Sequence, residues 1–226
     1  MKLQTFKINS PYNNLINLKV IQGHFATTSS HINYYIDLTT LKARANEAKA
    51  VAKSMSQEYL ATTIVDTIVC IDGTNVIGAY LADALTDSGI MSMNQHDTMY
   101  ITTPEVNSVG QYTFRDDVIP MIKNRHVLLL LATATTGHTT EKAIECIKYY
   151  GGSIAGISAI FSAIDTVQNY DIHAIFRMKD IEGYASYNSH ECPLCKAKVQ
   201  LDGLVSAGGI SGLNFIYDGG EIDHLS

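Results

Sequence analysis

The chain has 226 residues, with 46% hydrophobic and 17% charged side chains, which excludes disorder and suffices for one sizeable α/β domain. Its net charge of −6 gives no basic footprint for a nucleic-acid backbone or an anionic membrane, although a local nest of amides can still hold phosphate. No apolar run approaches the ~20 residues that span a bilayer, residues 1–14 lack the apolar core of a signal peptide, and four cysteines are too few for a disulfide framework. The expectation is a reduced, cytoplasmic protein.

In chain order, Pro11 and Asn13-Asn14 mark a turn in a mixed first segment. Residues 23–37 are polar and aromatic, with strand character at 33–37, and contain His24, His31, Tyr34 and Tyr35. Two histidines and two adjacent tyrosines suit either the reading of a planar ligand edge or a surface hairpin whose tyrosines cover the core. Residues 41–60, rich in Ala, Lys, Glu and Met without Gly or Pro, predict a helix. Residues 63–71 form a β-branched run ending at Asp72-Gly73-Thr74-Asn75, and 76–85 predict a second helix. The turn of this unit lies at a strand's carboxyl end, where ligands of parallel sheets gather. Residues 89–100 read as a loop leading into a strand at 99–102, residues 103–115 as a mobile loop or hairpin, and 116–123 as a short turn.

Five consecutive apolar residues, Val127 to Leu131, predict a parallel strand covered on both faces, because such a strand shows no alternation. The run Thr135-Thr136-Gly137-His138-Thr139 follows, then a helix over 141–150 stopped by Gly151-Gly152. A strand, a Gly/Thr loop and a helix point backbone N–H groups at an anion, and also make an ordinary strand-to-helix turn. Further strands are predicted at 154–161 and 173–176. Near the C-terminus, Cys192-Pro193-Leu194-Cys195 is half of a zinc knuckle, a redox dithiol or a structural turn. His190 and His173 are candidates to complete such a site, whereas Cys70 and Cys146 read as core thiols. The whole predicts a single α/β domain.

Several of these segments together resemble one family, the type I phosphoribosyltransferases, and within it the orotate phosphoribosyltransferases. Residues 127–139 are similar to the family's signature for phosphoribosyl pyrophosphate: apolar residues, two acids, two variable residues and a Thr-Thr-Gly-Gly-Thr end. The segment 23–37 resembles the N-terminal segment of orotate enzymes, and Cys192-Pro193-Leu194-Cys195 a Cys-Pro-Leu-Cys of one orotate subgroup. The match runs approximately from Gly23 to Gly209. It implies a parallel sheet flanked by helices, with a core over 40–180 and a small hood built from 1–39 and 181–226 within one domain of 226 residues.

The resemblance further implies transfer of phosphoribosyl from phosphoribosyl pyrophosphate to a ring nitrogen of orotate, in pyrimidine nucleotide synthesis, with Mg2+ carrying the donor. Thr135, Thr136, Gly137, His138 and Thr139 would cradle the 5′-phosphate, and Asp72, Gly73, Thr74 and Asn75 would form the pyrophosphate loop. His31, Tyr34 and Tyr35 would lie near the base, Cys192 and Cys195 would be ligands if Zn2+ binds, and the chain would form a homodimer. No residue is assigned to the catalytic step. The departures are specific. The family's two acids fall on Leu131 and Ala132, a basic residue on Thr28, and the cationic loop on residues 100–115, where Arg115 is the cation and Glu105 has the opposite sign. Two readings follow: a divergent transferase, or a non-catalytic or altered-specificity member that binds a nucleotide or phosphosugar.

Overall fold

A computed structural model describes residues 4–11, 13–28, 30–87, 92–94, 98–206 and 209–211. Part of the loop expected at 89–100, and residues 212–226 of the expected hood, lie outside these residues. In chain order the elements are β1 (Thr5–Asn9), β2 (Asn17–Ala26), β3 (His31–Asp37), α1 (Thr39–Ala43), α2 (Ala45–Ser56), β4 (Thr67–Cys70), α3 (Asn75–Thr86) and β5 (Tyr100–Thr102). They continue as β6 (Glu105–Val106), β7 (Tyr112–Thr113), β8 (His126–Ala134), α4 (His138–Tyr149), β9 (Ser153–Ser162), β10 (Thr166–Val167) and β11 (Tyr170–Arg177). The last are β12 (Ser186–Tyr187), α5 (Pro193–Lys196), β13 (Gly203–Ser206) and β14 (Gly209–Ser211). The described residues fall into two compact units: an α/β unit drawn from 7–18 and 38–182, and a terminal unit drawn from 1–6, 19–37 and 183–226.

The α/β unit is built on a sheet in the order β10-β11-β9-β8-β4-β5. β11, β9, β8, β4 and β5 pair in parallel, and β10 closes one edge antiparallel to β11. β8 has parallel partners on both sides and buries Val127, Leu128, Leu129, Leu130 and Leu131 completely, as its unbroken apolar run predicts. Each such side chain contributes about 1.5–3 kcal/mol of burial. Leu129 and Leu131 cluster with Ala143, Ile144 and Ile147 of α4 on one face. On the other face, Cys70 and Ile68 of β4 meet α3 at Gly78, where a Cβ would stand 2.5 Å from the Cys70 Sγ.

Three boundaries differ from expectation. The helix expected over 41–60 is two helices, because Arg44 is extended (φ −82°, ψ 117°) and its guanidinium pairs with Glu47 at 2.8 Å. The second of them stops at Ser56, so that the following turn brings Tyr59 inward, where its hydroxyl meets the buried Ser158 hydroxyl at 2.7 Å. α4 starts at His138 rather than 141, since Gly137 (φ +86°) turns the chain directly into the helix. Residues 103–115 contain the β6–β7 hairpin, whose turn is held by the Asn107 carboxamide oxygen accepting from the Val109 and Gln111 N–H groups.

The terminal unit is a sheet in the order β12-β3-β2-β13-β14, with β1 on β2. β2 and β3 form a hairpin turned at Thr27 and Ser30, and β13 joins β2 in parallel through Gly203 and Leu204. A bulge between Gln22 and Phe25 breaks the ladder at His24. Asn33 fastens the C-terminal segment to β3: its amide donates to the Gly183 carbonyl, and its carbonyl accepts from the Ala185 N–H, both at 2.7 Å.

Candidate functional site

The two loops singled out in the sequence emerge from the carboxyl ends of adjacent parallel strands, β4 and β8. Adjacent strands run about 4.8 Å apart, so the structure brings these loops side by side. Ile71 N–H donates to the Leu130 carbonyl at 2.8 Å, and the buried Thr74 hydroxyl donates to the carbonyls of Ile71 and Leu130. Thr74 therefore ties the first loop to β8 and starts α3.

The second loop is anchored by β9. The Ala134 carbonyl accepts from the Ala163 N–H at 2.8 Å and from the buried Ser162 hydroxyl at 3.2 Å. Thr135 and Thr136 are exposed, and Gly137 is buried in the left-handed region. A Cβ at Gly137 would stand 3.2 Å from Ile164 Cδ1, so both backbone and neighbour select glycine. Among the described residues, no side chain caps the N-terminus of α4. The N–H groups of its first turn have no intrahelical partner, and the helix dipole adds partial positive charge there. Within that turn, the buried Thr140 hydroxyl has no hydrogen-bond partner among the described residues. His138 contributes backbone, while its exposed ring faces Glu141 at 3.5 Å.

Asp72 and Gly73 both adopt positive φ (+56° and +76°). Burial pushes the Asp72 carboxyl above its ordinary value, with Lys42 pulling the other way. Lys42 Nζ donates to the Asp72 carbonyl at 2.9 Å and is a cation at this loop that sequence reading missed. It lies on the short α1, which merged with α2 in the expected helix. The Asn75 amide donates to the Thr103 hydroxyl at 2.8 Å. Arg115 is engaged by Asp117 at 3.3 Å and Glu105 at 3.8 Å. Leu131 and Ala132, where the resemblance places two acids, are 0% and 4% exposed.

Cys70 and Cys146 are core thiols as expected, with burial pushing them up to about 12 and about 11. His173 stands in the α/β unit against Tyr59 and Glu58. A cavity of about 760 Å³ in that unit is lined by Lys53, Glu58, Ser158, His173, Arg177 and Lys179, and by no residue of the two loops.

In the terminal unit, Tyr34 and Tyr35 do not form one stacking surface. They alternate across β3, and Tyr35 is core, with its ring 6.0 Å from that of Phe25. His31 turns to other neighbours: its Nδ1 lies 3.1 Å from His24 Nε2 and 3.2 Å from Cys195 Sγ. His24 Nε2 in turn lies 3.5 Å from Cys192 Sγ and 3.6 Å from Cys195 Sγ. Burial and the neighbouring His24 hold His31 below the usual imidazole range. His24 was not assigned from the sequence. The signal was the spacing of two histidines across a tight hairpin.

No family model matches the chain. The fold nevertheless has a counterpart among solved structures. Over 71% of the chain it matches the solved structure of the UMP synthase of Leishmania donovani, with a TM-score of 0.51 at 17% identity, covering 34% of that protein. In sequence, the chain is similar to the orotate phosphoribosyltransferase of Chlorobaculum parvum, 23% identical over 186 residues that cover 81% of this chain and 87% of the relative. The orotate phosphoribosyltransferase of Sulfurimonas denitrificans is 24% identical over 193 residues, covering 79% and 88%. The chain is thus similar to these enzymes over most of its length, at low identity.

Proposed function

We propose that the chain binds the 5′-phosphate of a phosphoribosyl compound on the loop 135–139, and that it is a phosphoribosyltransferase acting on a pyrimidine base such as orotate. The observation that carries the proposal is the buried, left-handed Gly137 opening an uncapped α4 beside the 72–75 loop. Amides at a helix N-terminus hold a dianionic phosphate on an acidic protein without lysine or arginine. The hydroxyls of Thr135, Thr136 and Thr139 add donors around it. The base is suggested by the names of the relatives.

Displacement of pyrophosphate at ribose C1 passes through an oxocarbenium-like state, so the protein's task is to orient the donor and hold leaving-group charge. On this reading the 72–75 loop faces the leaving group, and Lys42 is a cation bonded to that loop. The end of β8 does not fit the magnesium-carried donor that the resemblance implies. Leu131 and Ala132 offer no side-chain oxygen to a metal or to ribose hydroxyls, leaving Asp72 as the carboxylate of these loops.

The same buried Leu131 and Ala132 favour a second reading, in which the chain binds a nucleoside monophosphate or phosphosugar and does not turn it over. Incubation with orotate, phosphoribosyl pyrophosphate and magnesium separates the two. Orotidine monophosphate formation supports transfer. Thermal stabilisation by that nucleotide, growing as RT ln(1 + [L]/Kd), without turnover supports the binding reading. Absence of both responses would reject the phosphoribosyl site.

A further inference from the structure

From the terminal unit we infer that His24, His31, Cys192 and Cys195 form a closed, structural zinc site that ties the β2–β3 hairpin to the C-terminal segment. Their ligand atoms all lie within 4.8 Å of one another. A tetrahedral zinc, with Zn–N near 2.0–2.1 Å and Zn–S near 2.3 Å, sets its ligand atoms roughly 3.3–3.8 Å apart. The pairs His24–His31 (3.1 Å), His31–Cys195 (3.2 Å), His24–Cys192 (3.5 Å) and His24–Cys195 (3.6 Å) cluster around that range. Two nitrogens and two sulfurs in a tetrahedron select zinc over magnesium or calcium, which take oxygen. Four protein ligands leave no open position, which marks the ion as structural.

The surroundings of His24 fit the same role. Its Nδ1–H donates to the Val199 carbonyl at 2.9 Å, which fixes the tautomer and leaves Nε2 bare toward the other three groups. Its backbone is pinned on both sides by Asp202: the His24 N–H donates to the Asp202 carboxylate at 2.8 Å, and the Asp202 N–H to the His24 carbonyl at 2.7 Å. The bulge at His24 aims this side chain, and the Thr27–Ser30 turn returns the chain so that His31 stands opposite Ala26. Cys192 is fully buried beside it, and Cys195 closes the exposed side.

A redox dithiol needs only two cysteines, whereas here two imidazole nitrogens and both sulfurs converge on one point. On binding, each thiol gives its proton to solvent and forms a thiolate–zinc bond, with no change of oxidation state. The ion joins segments 168 residues apart in the chain, where, among the described residues, β13 meets β2 through Gly203 and Leu204.

The test uses the full chain purified without added metal. Elemental analysis should find about one equivalent of zinc per chain, and Co2+ exchanged into the site should give the visible bands and thiolate charge transfer of a tetrahedral S2N2 centre. Cys195→Ser, at an exposed position that tolerates the change, and His31→Gln should each abolish the charge-transfer pattern or shift it, and lower metal retention at least about tenfold. Two results would overturn the inference. One is a metal-free chain whose Co2+ form lacks thiolate bands. The other is a reversible Cys192–Cys195 disulfide in the native protein that His24→Ala and His31→Gln leave unaltered.

Discussion

Gly137 carries two demands at one position, a left-handed backbone and a neighbour 3.2 Å from where a Cβ would stand. Gly137→Ala should cost about 1–2 kcal/mol from the backbone alone. It should also abolish stabilisation by a nucleoside monophosphate, read by thermal unfolding with and without ligand. Asp72 gives a pH signature. Its carboxyl is raised in the folded state, so the folded chain binds that proton more tightly than the unfolded one. Stability therefore falls as pH climbs from the ordinary 3.8 through the raised value, and stays lower at neutral pH. Asp72→Asn, which tolerates φ +56°, should raise the melting temperature at neutral pH, with the gain vanishing in acid below 3.8. Thiol titration makes a third residue-scale check: Cys70 and Cys146, held up to about 12 and about 11 by burial, should react slowly in the native protein at neutral pH and quickly once it is unfolded.

At the scale of elements, α3 packs on β4 through the absence of a side chain. Gly78→Ala gains about 1 kcal/mol of helix propensity but drives a Cβ to 2.5 Å from the Cys70 sulfur. The expected outcome is net destabilisation of about 1–3 kcal/mol, relieved when Cys70→Ala is combined with it in a double-mutant cycle of chemical denaturation. Which elements form was legible where the physics is local. The apolar run of β8 announced a strand covered on both faces, and Thr135–Gly137 announced a turn into a helix. The break at Arg44 was not legible, because no Gly or Pro marks it. It depends on the backbone angle of Arg44, and the stop at Ser56 on Tyr59 being drawn to Ser158, a contact between residues 99 apart.

Over the whole molecule, the two loops of the α/β unit come together because β4 and β8 are parallel neighbours, an arrangement that the repeated strand–loop–helix pattern made readable. The His24–His31–Cys192–Cys195 cluster was only half readable. The cysteines are neighbours in sequence, but the histidines reach them through the pairing of β2 with β13. On the proposed function the acidic chain, with net charge −6, holds a nucleotide through backbone amides and the α4 dipole rather than a basic surface, so specificity should reside in the phosphate. The most direct test is to titrate the protein with orotidine 5′-monophosphate and, in parallel, with orotidine, following the melting temperature. The account requires a rise that grows with nucleotide concentration, is absent with the nucleoside, and disappears in Gly137→Ala. Equal shifts for both compounds, or none for either, would contradict it.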